Sequence, residues 1–196
     1  LTVGAGEFVA VVGPSGSGKS TLLSCLGGLD DPDGGTVRIA GTRISRRPEA
    51  ERARLRARLV GVLTQSGNLL SHLSVEQNIA LAQRLAARGH HQRPVDQLSA
   101  LGLDHRRHAR PDTLSGGETV RAGLAVAIAN DPVILLADEP TGELDGSTEY
   151  QVLALLRDRA RVGTALLIAS HSQAVAEAAD RIITLHDGTI RNDQVR

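Results

Sequence analysis

Short aliphatic and β-branched runs alternate with longer stretches whose apolar residues recur every three or four positions. That alternation predicts strands interleaved with helices, and so a mostly parallel sheet covered on both faces. Strands are expected at 7–12, 36–39 (edge-type), 59–63, 133–137, 165–169 and 181–185, with Asp187-Gly188 turning the chain into a last strand at 189–191. Helices are expected at 20–26, 48–58, 119–129, 147–161 and 172–179. A further helix at 74–88 opens on Ser74 with Gln77 three residues on, the chemistry of a capping box. From Gln65 to about Asn130 the pattern holds helix and loop only, an all-α insertion in an otherwise alternating chain.

Composition narrows the class. With 196 residues and 41% apolar content, the chain is long enough for one large domain with a real core. The apolar run Val133-Ile134-Leu135-Leu136-Ala137 is far short of a membrane span. No basic stretch followed by an apolar one reads as a leader, which predicts a cytoplasmic chain. The chain opens on Leu1 and contains no methionine, so further residues are expected upstream. Lys and Arg total 22 against 22 Asp and Glu, a balance that argues against a nucleic-acid coat. The lone cysteine, Cys25, excludes an internal disulfide and is expected inside, behind the first helix. Arg46, Arg47, Arg52, Arg54, Arg56 and Arg58 are expected to form a solvated helical face. His90, His91, His105 and His108 fall in polar loops without metal-ligand spacing.

Among so many arginines, the only lysine is Lys19, and it stands in Gly13-Pro14-Ser15-Gly16-Ser17-Gly18-Lys19-Ser20-Thr21. Glycines at this spacing let backbone N–H groups turn toward a phosphate chain, and the following helix adds its positive end. Lys19 is expected on the β- and γ-phosphates and the Ser20 hydroxyl on Mg²⁺. A buried strand further on ends in Asp138 and Glu139. At the carboxyl edge of a sheet beside the phosphates, Asp138 would join the metal's shell, and Glu139 would orient and deprotonate a water. These motifs make the expected fold class α/β: a P-loop NTPase core with a mostly parallel sheet, a small antiparallel β region and an inserted all-α subdomain. One domain, 1–196, is expected, with 1–64 and 131–196 as nucleotide-binding core and 65–130 as helical subdomain.

A third element, Leu114-Ser115-Gly116-Gly117-Glu118 ahead of a helix, offers a second set of backbone donors on a chain that already has a phosphate loop. In sequence and order this resembles the signature motif of the ABC ATPases. The resemblance implies that Ser115, Gly116, Gly117 and Glu118 bind the γ-phosphate of ATP held by a partner's P-loop, in a two-fold dimer. It also implies that Gln65 is the glutamine that senses Mg²⁺ and water, that Asp145 in Gly142-Glu143-Leu144-Asp145 faces the partner, and that His171 contacts the γ-phosphate. The activity implied is Mg²⁺-dependent ATP hydrolysis, powering an integral membrane transporter subunit or domain from the cytoplasmic side of the inner membrane. Leu69, Leu70 and Leu73 are expected either to anchor that membrane partner or to pack the insertion on the core.

Residues 65–76 and 136–145 look most like the lipoprotein-release and macrolide-export branch. The chain departs from the family at Val120 and Val126, where glutamine and a second arginine are usual, while Arg121 is kept. An N-terminal strand is expected upstream of Leu1, and the adenine-stacking aromatic is expected either upstream of Leu1 or absent. Alternatives from other classes are a soluble ABC ATPase of DNA repair or translation, and a nucleotide switch without turnover.

Overall fold

The computed structural model describes residues 1–64, 68–86 and 92–196. Its main sheet has six strands in the order β4-β5-β6-β1-β7-β8. These are β1 (Phe8–Val12), β4 (Val60–Thr64), β5 (Ile134–Asp138), β6 (Ala165–Ala169), β7 (Arg181–His186) and β8 (Thr189–Val195). All neighbours are parallel except β8, which returns antiparallel to β7 through Asp187-Gly188. Both turn residues have positive φ (47° and 70°), as a two-residue hairpin turn requires.

The sheet is buried on both faces because its central strands are apolar at every position. On β1, Phe8 and Ala10 join one core cluster with Leu135, Leu166 and Ile168. Val9 and Val11 join the other, with Leu136, Leu167, Ile183 and Leu23. Helix α1 (Lys19–Leu26) packs against β5 and β6 on the Val9 side. Helices α5 (Gly116–Ala127), α6 (Gly146–Arg161) and α7 (Gln173–Ala178) supply the Phe8 side. At roughly 1.5–3 kcal/mol for each large apolar side chain removed from water, these two layers are the main source of stability.

The edge strand expected at 36–39 is a two-residue strand, β2 (Arg38–Ile39), paired antiparallel with β3 (Thr42–Arg43) in a separate ribbon. The intervening Ala40 and Gly41 carry φ 47° and 76°. Helix α2 (Glu49–Leu59) differs from the expected solvated face: Arg52 pairs with Glu49 and Asp31, and Arg56 bonds Glu49 and the Gly28 carbonyl. The arginines thus tie α2 to the segment after α1. Cys25 is half-buried rather than enclosed, and burial pushes its thiol pKa up.

Between β4 and β5 the described residues are helical or looped, as expected: α3 (Val75–Ala86), α4 (Pro94–Ala100), 3₁₀ turns at Asp104–Arg106 and Pro111–Thr113, and α5. The capping box of α3 is formed, with Ser74 N donating to Gln77 Oε1 at 2.9 Å and Gln77 N to Ser74 Oγ at 3.3 Å. Among the described residues, no helix is long and apolar enough to cross a membrane.

Candidate functional site

Parallel register brings the carboxyl ends of four strands to one edge. Thr64 pairs with Asp138, Asp138 with Ala169, and Val11 with Ala169. The loop after β1, the acidic pair ending β5 and the Ser170-His171 segment after β6 therefore emerge side by side. They enclose a cleft of about 510 Å³ lined by Gly13, Pro14, Ser15, Gly16, Gly18, Lys19, Ser20, Thr21, Asp138, Glu139 and His171. Gln65, which follows Thr64 in sequence, lies outside the described residues.

The loop's shape is imposed by close backbone approach. A Cβ on Gly13 would sit 2.2 Å from the Leu185 carbonyl oxygen and 2.8 Å from Ser17 Oγ, so the first loop position accepts only glycine. The Ser17 hydroxyl is buried with no hydrogen-bond partner among the described residues, while its carbonyl takes the Gly188 N–H at 2.9 Å. That bond fastens the loop to the β7–β8 hairpin. Lys19 Nζ donates to the carbonyls of Gly13 at 2.8 Å and Pro14 at 3.1 Å, holding the ammonium over the loop. Helix α1 starts at Lys19 itself, so its unpaired N–H groups open on the same cleft.

Glu139 stands just beyond β5 with φ 47°, a left-handed conformation that costs a glutamate on the order of 1–2 kcal/mol. It is held by its N–H, which donates to Ala169 O at 2.9 Å. Its Oε2 receives Ser170 Oγ at 3.0 Å and lies 3.0 Å from His171 Nδ1. The carboxylate expected on the attacking water and the imidazole expected on the γ-phosphate are thus in direct contact. Sequence reasoning passed over Ser170, which is fully buried and bonds the same Glu139 oxygen; its only signal was a hydroxyl beside His171.

The second set of donors is built differently. Ser115 caps α5: Ser115 Oγ accepts from Glu118 N at 3.3 Å, and Glu118 Oε2 accepts from Ser115 N at 2.9 Å. Glu118 Oε1 accepts from Arg106 Nε at 2.8 Å and sits 3.2 Å from His105 Nε2. Arg106 first, then the Ser115 N–H, hold the carboxyl down at about 2. The Glu118 carboxylate is engaged in shaping the helix start, while the Ser115 hydroxyl proton and the backbone around Ser115–Gly117 remain to donate. His105 and His108 are also engaged, with Glu118 and Glu76.

Gly117 lets this helix approach α6: a Cβ there would lie 2.4 Å from the Thr148 methyl, whose side chain is pinned by a 2.7 Å bond to Asp145. Asp145 caps α6 through Thr148 N, Thr148 Oγ1 and Ser147 Oγ, and those bonds hold its carboxyl well below the usual range. Neither Ser115, Gly116 nor Gly117 lines the phosphate-loop cleft. Val120 is buried and Val126 packs on the same cluster, so the two departures from the family pattern serve as core.

A six-stranded sheet with a phosphate loop, an acidic strand end and a histidine at one edge defines a mononucleotide-binding P-loop domain. The sequence model described as ABC transporter matches residues 1–142. The chain is 40% identical over 196 residues to the macrolide export ATP-binding/permease protein MacB of Chlorobaculum tepidum, covering 99% of this chain and 30% of that protein. It is 41% identical to an uncharacterized ABC transporter ATP-binding protein of Thermotoga maritima, covering 97% of this chain and 83% of that protein. Among solved structures it superposes on a dimeric post-hydrolysis state of the ATP-binding cassette MJ0796 bound to ADP and Pi. The TM-score is 0.91 at 33% identity, covering 100% of this chain and 88% of that one. The chain belongs to the ABC transporter family. It spans 30% of the macrolide-export relative's length.

Proposed function

We propose that this domain hydrolyses ATP at the cleft between the phosphate loop and Glu139, powering a membrane partner by closing onto a second ATP-binding domain. The observation that carries the reading is the single cleft gathering Lys19, Ser20, Asp138, Glu139 and His171. Residues 13–21 would wrap the phosphates with backbone N–H groups, and Lys19 would leave the loop carbonyls for the β- and γ-oxygens. Glu139 would orient the attacking water and take its proton, and His171, in contact with Glu139, would bond the γ-phosphate.

Ser20 and Asp138 suit magnesium: both offer hard oxygen donors on the same cleft, and no group of three His, Cys, Asp or Glu side chains among the described residues forms a closed metal cage. A magnesium ion there, held by Ser20, Asp138 and Gln65, would neutralise phosphate charge; such ions keep waters and phosphate ligands rather than an all-protein shell. Residues 65–130 would act as the helical subdomain that presents Ser115–Gly117, with Glu118 shaping their helix, to the nucleotide of a second copy. The dimeric cassette at a TM-score of 0.91 supports that arrangement. The macrolide-export relatives support an integral membrane partner, with this domain peripheral on the cytoplasmic side and its work on transport rather than repair or translation.

Lys19→Ala tests the site. The variant should lose Mg²⁺-dependent ATP turnover, because the loop no longer places a cation on the transferring phosphate. Wild-type turnover would remove the assignment.

A further inference from the structure

We propose that Glu149 and Ser170 are positioning residues for hydrolysis, links in a hydrogen-bonded bridge that runs from the loop after β5 and the first turn of α6 to the Glu139 carboxylate. The inference rests on the reading of Glu139 as the base.

Each link has a donor and an acceptor. Glu149 Oε1 accepts two hydroxyl protons, from Thr141 Oγ1 at 2.8 Å and from Ser172 Oγ at 2.7 Å. Ser172 Oγ also accepts Ala174 N–H at 3.1 Å, so this hydroxyl caps α7 while being held by α6. The Ser172 N–H donates to Ser170 Oγ at 3.0 Å, and Ser170 Oγ donates to Glu139 Oε2 at 3.0 Å. Thr141 is 3% exposed and Ser170 0%, so these bonds are shielded from exchange with water.

An acid in the first turn of a helix is ordinarily accounted for by the helix dipole. Glu149 does more than that, since one of its oxygens clamps side chains from two separate loops. The Ser170 hydroxyl has a single proton, and accepting from Ser172 leaves that proton to Glu139. With Oε2 taken by Ser170 and His171, Oε1 is the oxygen that remains for a water. A carboxylate with a strained backbone at φ 47° would otherwise be free to turn about its side-chain torsions. The bridge therefore acts on the geometry of proton transfer, not on ATP binding, because no bridge residue other than Glu139 lines the cleft.

The test is steady-state ATPase kinetics on the full-length chain, with ATP affinity and melting temperature measured alongside. Glu149→Ala should lower kcat by about tenfold and leave KM for ATP within about twofold. Glu149→Gln retains an oxygen that can accept both hydroxyl protons and should recover kcat to within about twofold of wild type. Ser170→Ala should also lose about tenfold, and the double variant should be no slower than about either single one, since both cut one chain. A wild-type kcat in Glu149→Ala, a loss in KM instead, no recovery in Glu149→Gln, or losses that multiply would overturn the bridge. If Glu149→Ala does not fold, near-isosteric Thr141→Val cuts the loop side alone and should lower kcat by about threefold; full turnover there overturns it too. Glu139→Gln, run in parallel, separates the two readings. An active Glu139→Gln removes the base assignment, whereas an inactive one beside a fully active Glu149→Ala removes only the bridge.

Discussion

Glu118 carries both the cap of α5 and the pair with Arg106, and its side chain is only 10% exposed. Its pKa falls from 4.5 to about 2, through Arg106 first and the Ser115 N–H second. Because the folded value lies below the unfolded one, the contribution to stability is fully present above about 4.5, shrinks as pH falls below that, and is gone below about 2. Glu118→Gln keeps the cap acceptor but cannot carry the charge. The gap in melting temperature between wild type and this variant should be constant from pH 8 to about pH 5.5 and narrow steadily toward pH 3. A gap that does not change over that interval would mean Arg106 and His105 contribute nothing through charge.

Segments 68–74 and 107–110 show how short elements hold an exposed side chain in place. Asn78 is 4% exposed; it accepts Leu70 N–H at 2.8 Å and donates to the carbonyls of Leu70, Leu73 and Ser74. The backbone of 107–109 adds bonds to Val75 and Glu76 at 3.0 and 3.1 Å, and Arg107 pairs with Glu76 at 2.7 Å. Leu69 packs against the core, Leu73 is half-buried, and Leu70 is left 43% exposed on a fixed turn. The docking role considered for three leucines therefore narrows to Leu70. Leu70→Asp should change stability by less than about 0.5 kcal/mol, as exposed substitutions do, yet abolish co-purification with the membrane subunit. Unfolding, or retained partner, would place the docking surface elsewhere. Strand 165–169 was legible to the residue because it is apolar throughout and bounded by turn residues, and the phosphate loop because its chemistry is contiguous. The β2–β3 ribbon was half-missed because Thr42-Arg43 has no apolar period of its own. The Glu149–Ser172 bond joins residues 23 apart in sequence, and only tertiary packing reveals it.

The domain as a whole holds two sets of donors, the phosphate loop and Ser115–Gly117, that do not line the same cleft. The phosphate loop opens on one cleft, and Ser115–Gly117 lies beside α6 and the 139–145 loop, where Leu114, Gly116, Pro140 and Leu144 border a smaller hollow of about 200 Å³. Close packing of Gly117 on Thr148, whose side chain Asp145 holds, sets that second end against α6 and apart from the chain's own phosphate-loop cleft. On the proposed reading, a second copy related by a two-fold axis would satisfy both ends at once, with each nucleotide lying between one chain's loop and the other's donors. Such a dimer would last until the cleaved phosphate leaves, which would make its lifetime a readout of turnover. Glu139→Gln should keep ATP binding and slow turnover by on the order of a hundredfold, the scale of a lost general base. With saturating ATP and Mg²⁺, light scattering on the eluting full-length variant should therefore report a dimer, while wild type under the same conditions reports mostly monomer. Adding Ser115→Arg to Glu139→Gln should return it to monomer, because the bulky side chain blocks the partner's phosphate while the chain's own loop still binds ATP. A Glu139→Gln protein that stays monomeric with bound ATP would break the link between the two ends and leave the signature segment without a ligand.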